Sequence, residues 1–80
     1  MKIRYSFRNS FCAEEARKVL RIAVGAWLSK GAVLRFPCMD VIVVEPKGEP
    51  SWEEELFGFF KHVNQEFNCR FVGWRAEVSD

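Results

Sequence analysis

Few side chains in this sequence have reactive chemistry: one histidine, His62, three cysteines, Cys12, Cys38 and Cys69, and the carboxylate run Glu53, Glu54 and Glu55. A nucleophilic pair needs an imidazole beside a thiolate, and no spacing links His62 to Cys38 or Cys69 in that way. A zinc site needs paired ligands with a second Cys or His nearby, and the three cysteines share no CxxC step. Glu66 lies one helical turn beyond His62, which makes an ordinary i to i+4 pair. The three glutamates fall in the first turn of a helix, where the dipole favours negative charge, and that placement accounts for them. Gly25, Gly31, Gly48, Gly58 and Gly73 are scattered and form no phosphate-cradling loop. The reading is of no enzyme, with no catalytic residues, no cofactor and no metal.

Eighty residues make a single domain, residues 1–80, with one core. A chain of this size buries only about 60% of its unfolded surface. Eight Phe and three Trp supply the large side chains that such a core needs. The longest apolar run, Val41 to Val44, is strand-sized, far short of the roughly 18 residues that span a bilayer. The opening residues MKIRYSF carry no apolar h-region, so neither a signal peptide nor a membrane partner is expected. With an odd cysteine count, reduced and partly buried thiols in a cytoplasmic protein are the expectation.

The firmest element is Ser51 to Phe67. Trp52, Leu56, Phe59, Phe60, Val63 and Phe67 mark one face of a helix. Ser51 with Glu54 reads as a capping box, and Asn68 can close the far end. Before it, Lys2 to Arg8 alternates as a strand, with Ile3, Tyr5 and Phe7 on one face and Lys2, Arg4, Ser6 and Arg8 on the other. Asn9 and Ser10 then start a helix whose stripe is Cys12, Ala16, Val19, Leu20, Ala23 and Trp27, with Gly31 as its left-handed cap. Ile22, Gly25 and Ala26 lie off that stripe, so its C-terminal half is apolar over much of its circumference. Ala32 to Phe36 reads as a short strand, Pro37 to Asp40 as a turn, and β-branched Val41 to Val44 as a central strand. Glu45 to Pro50 is a loop, and Arg70 to Val78 is the last strand, in which Gly73 reads as a bulge that turns Phe71 inward or, without one, leaves it outward.

The order β-α-β-β-α-β with right-handed crossovers favours an α+β, ferredoxin-like sandwich: a four-stranded antiparallel sheet with two helices on one face. Its open sheet face would carry Lys2, Arg4, Arg8 and Arg35, with Phe71 and Arg75 from the last strand. Between Met1 and Phe36 there are eight basic residues against two acidic ones, and between Pro37 and Asp80 four against nine. That asymmetry fits either two halves neutralising each other or an anionic partner on one face. A basic face with an aromatic suits a nucleic-acid strand. The third strand, Asp40 to Glu45, nevertheless lacks the aromatic-rich pattern of an RNA-recognition domain.

Protein contact is the leading expectation. Phe57 lies off its helix's main stripe, Trp27 ends the broadly apolar helix, and Trp, Phe and Arg concentrate binding energy at interfaces. The expected function is a small inhibitor or adaptor that sterically occludes a larger protein, with a homodimer pairing open sheet faces as a further possibility. Nucleic-acid binding through the basic face is the alternative. The partner-binding candidates are Arg4, Arg8, Trp27, Arg35, Phe57, Phe71 and Arg75. In size and lack of catalytic motif the chain is similar to phage-encoded anti-defence inhibitors, such as anti-CRISPR proteins, and to immunity proteins, a likeness of class and not of residues.

Overall fold

A computed structural model describes all residues, Met1 to Asp80. Strand β1 (Lys2–Ser6) leads into helix α1 (Ser10–Trp27), then strands β2 (Ala32–Cys38) and β3 (Val41–Pro46). A wide turn, Trp52–Leu56, opens helix α2 (Phe57–Arg70), and β4 (Arg75–Ser79) closes the sheet. The four strands are antiparallel in the order β2-β3-β1-β4, which is the ferredoxin-like α+β arrangement.

Alternation in β1 settles the two faces. Ile3, Tyr5 and Phe7 are buried under the helices, while Lys2 and Arg4 point away from them. Pairing of Ile3 with Val44 and Tyr5 with Ile42 puts the β3 core residues on the same side. Asn9 caps α1, its side-chain oxygen accepting from the Cys12 amide at 2.8 Å. Ala13, Ala16, Val19, Leu20 and Ala23 form the buried stripe of α1, and Leu56, Phe59, Val63 and Phe67 that of the second helical segment. Cys12 is only half-buried and Trp27 and Trp52 are exposed, so the core is shorter at the ends of both helices than the periodicity implies.

Several boundaries move. Helix α1 stops at Trp27, and Gly31, at φ +76°, turns the chain into β2 by donating to the Leu28 carbonyl at 2.9 Å. Strand β2 runs on through Pro37 to Cys38, leaving Met39 and Asp40 as the hairpin turn. Proline is tolerated there because β2 is an edge strand and its register with β3 slips between Arg35 and Cys38. Helix α2 continues through Arg70, so β4 begins only at Arg75. Gly73, at φ +75°, lies in the intervening turn and not in a bulge. Asn68 is inside α2, and its side chain accepts from the Trp74 indole at 3.0 Å.

The start of the second helical segment differs most from a simple capping box. Leu56 and Glu55 both donate to the Ser51 carbonyl, at 3.0 and 3.1 Å, which widens the first turn. Glu55, not Glu54, accepts from the Ser51 amide, at 3.0 Å. The Ser51 side chain makes no capping bond.

Candidate functional site

Two of the sequence candidates, Trp27 and Phe57, meet at one end of the helix layer. They line a groove of about 380 Å³ together with Glu53, Gly58, Lys61, His62 and Gln65. Its floor depends on a missing side chain: a Cβ on Gly58 would fall 2.2 Å from Cε3 of Trp27. The indole therefore lies directly on the α2 backbone, a close approach that only glycine permits. Its Nε1 donates to Nδ1 of His62 at 3.1 Å, which fixes the ring's orientation and requires a bare Nδ1. His62 thus partners Trp27, while Glu66 pairs with Arg70 at 3.2 Å.

Around this groove the apolar surface is large. Trp27 is 40% exposed, Phe57 56% and Trp52 59%. Trp52 packs against half-buried Phe60 on the other flank of α2, the rings tilted by 47° with centroids 6.0 Å apart, and Phe57 lies between the two flanks in helical register. Glu55 ties the arrangement to the turn after α1. Its carboxylate accepts from the Ser29 amide at 2.8 Å and the Ser29 hydroxyl at 2.9 Å, as well as from Ser51.

Those donors, the Ser29 amide first, hold the Glu55 carboxyl below its ordinary range. A carboxyl depressed in the folded state stabilises the fold fully above its unfolded pKa, and that contribution is lost as pH falls through the folded value. Glu55→Gln should therefore lower the thermal midpoint at neutral pH. It should also flatten the loss of stability as pH falls below about 5. Thermal melts across that range check it, and parallel curves for both proteins would contradict the assignment. Glu45, depressed chiefly by its bond to Arg35, keeps some acid sensitivity in either protein.

The remaining candidates lie elsewhere. Lys2, Arg4, Arg35, Val43 and Glu45 share a shallow depression of about 600 Å³ on the open sheet face. Glu45 takes two of those cations, Arg35 at 2.7 Å and Lys2 at 3.5 Å, so the basic and acidic halves of the chain partly neutralise each other here. The depression shelters Val43, which is half-buried, and Val41 is buried. The sheet face thus presents little apolar surface from β3. Arg75 points to the same face, opposite Ser6, and Arg8 is exposed beyond the end of β1. Phe71 is not on the sheet face. It follows α2 directly and packs inward at 5.7 Å from Phe7 and 5.4 Å from Phe67.

Cys38 and Cys69 are exposed and Cys12 half-buried, and all three are free, in place of the partly buried set expected. No three metal-ligating side chains come together, and no helix is long and apolar enough to cross a membrane. Comparison with protein-family models, curated proteins and solved structures found no match to this chain. Sequence reasoning missed Gly58 and Glu55. A glycine inside a strong helical pattern does signal close approach, whereas nothing in three consecutive glutamates singles out the third.

Proposed function

We propose that this chain is a non-enzymatic protein-binding module, an inhibitor or adaptor that covers part of a larger protein with the aromatic end of its helix layer. The supporting observation is the joint exposure of Trp27 and Phe57 in one groove, with Trp52 exposed on the other flank of α2. Aromatic side chains fixed on rigid elements bury large area at small entropic cost, which is the character of an interface hot spot. Glu53 and Lys61 both line the groove, so the fitting partner surface is an apolar pocket whose rim offers charges of both signs. Arg4 and Arg35 occupy the opposite layer and have no part in this docking.

Phe57→Asp tests the reading. With a partner captured from host lysate and purified, the variant should weaken binding by at least about 30-fold, the loss of one hot spot. Its circular dichroism and unfolding midpoint should stay near those of the parent protein. Equal affinities would reject the groove as the site. Nucleic-acid binding through Lys2, Arg4, Arg35 and Arg75 is the second reading, supported by four cations on one sheet face. Neutralisation by Glu45 and the inward packing of Phe71 weigh against it, and an affinity indifferent to salt would end it.

A further inference from the structure

Strand β4 is an edge, paired to β1 on one side and to nothing on the other. None of the backbone hydrogen bonds outside the helices and strands involves it. Its helix-side residues are Ala76 and Val78, opposite Tyr5 and Ile3. Tyr5 and Ile3 are fully buried, yet Ala76 is exposed and Val78 is 54% exposed, because the helices stop short of this edge. An unpaired backbone edge with uncovered apolar side chains is a template for another strand.

The charges on the opposite face select which strand. Arg75 and Glu77 point to the open sheet face, two residues apart, with Ser6 and Arg4 as their neighbours on β1. In an antiparallel pair related by a two-fold axis normal to the sheet, a residue faces its own copy, and its neighbours on either side face each other. Centring on Glu77 or on Arg75 sets like charges directly opposite, which is destabilising. Centring on Ala76 sets Arg75 opposite the partner's Glu77, and Glu77 opposite the partner's Arg75. It also sets half-buried Trp74 opposite the partner's Val78, covering that exposed side chain.

We infer that β4 pairs antiparallel with β4 of a second copy of this chain, Ala76 facing the partner's Ala76, to make one continuous eight-stranded sheet. The shared open face then carries two symmetry-related rows, each running Arg4, Glu77, the partner's Arg75. The pairing leaves the groove at the end of the helix layer free, so it stands or falls independently of the docking proposed there.

Sedimentation equilibrium over a concentration series tests it with two charge reversals. The parent protein should show twice the chain mass. Arg75→Glu places glutamate against glutamate and Glu77→Arg places arginine against arginine, so each variant alone should fall to the monomer mass. An equimolar mixture of the two restores opposite charges at both positions and should return to the dimer mass. Circular dichroism on each variant confirms the fold, and Arg75→Glu, whose neighbour on β1 is an uncharged serine, carries the test if Glu77→Arg disturbs Arg4. A monomeric parent protein, a dimer that survives Arg75→Glu, or a mixture of folded variants that stays monomeric would each overturn the pairing.

Discussion

Phe67→Ala should cost this domain about 3–5 kcal/mol, the range for removing a fully buried phenylalanine. The ring is completely buried and is the hub of the aromatic core. Its centroid lies 5.4 Å from Tyr5, 5.3 Å from Phe7, 5.4 Å from Phe71 and 5.4 Å from Trp74, every pair edge-on. These four neighbours come from β1 and the residue that follows it, and from the turn between α2 and β4, so one ring joins a helix to a strand and to the closing turn. Edge-to-face pairs add to the area term, and the cavity left by the ring cannot collapse without moving several large neighbours. A domain this size has about 4–12 kcal/mol in all, so the variant should be close to unfolding at 25 °C. Urea unfolding checks it, and a loss under about 1 kcal/mol would show that the cluster is not the fold's centre. Tyr5→Phe is the informative contrast. The Tyr5 hydroxyl is buried without a hydrogen-bond partner, and burial holds the phenol protonated far above its usual range. Removing that oxygen while keeping the ring should leave stability unchanged or raise it by about 1 kcal/mol.

Gly58→Ala should destabilise, although alanine in a helix interior normally gains about 1 kcal/mol over glycine. The added methyl would sit 2.2 Å from Cε3 and 2.3 Å from Cζ3 of Trp27, inside any permissible contact. The indole must therefore leave its seat on α2 and lose its bond to His62. Overpacking of this kind costs about 1–3 kcal/mol, enough to reverse the propensity gain. The sign should depend on the indole. In a Trp27→Ala background the obstruction is gone, and Gly58→Ala should stabilise by roughly the propensity difference. A double-mutant cycle by denaturant unfolding reads this directly, and a penalty that persists without the indole would assign glycine's role to something else.

Fold class was legible because hydrophobic period is local. Ile3, Tyr5 and Phe7 alternate with cations, and Leu56, Phe59, Val63 and Phe67 recur at helical spacing, so both faces follow from the chain alone. The boundaries that moved are those decided by long-range contacts. Pro37 stays in β2 only because β2 is an edge, a fact of strand order that no window around Pro37 contains. Phe71 turns inward because α2 continues to Arg70 and delivers it beside Phe7 and Phe67. In the site, the exposure of Phe57 was readable from its place off the stripe. The seat of Trp27 on Gly58 and the bridge from Glu55 to Ser29 join residues more than 25 positions apart, and spacing cannot reveal such contacts.

The two edges of the sheet are unlike, and that difference limits how far strand addition can proceed. Proline at position 37 removes an amide from β2, and the register slip between Arg35 and Cys38 bends that edge out of line. A pairing of β4 with its own copy uses both regular edges at once and leaves only the two interrupted ones facing outward. Growth then ends at two copies, a closed point group, where a chain with two straight edges would polymerise into a fibre.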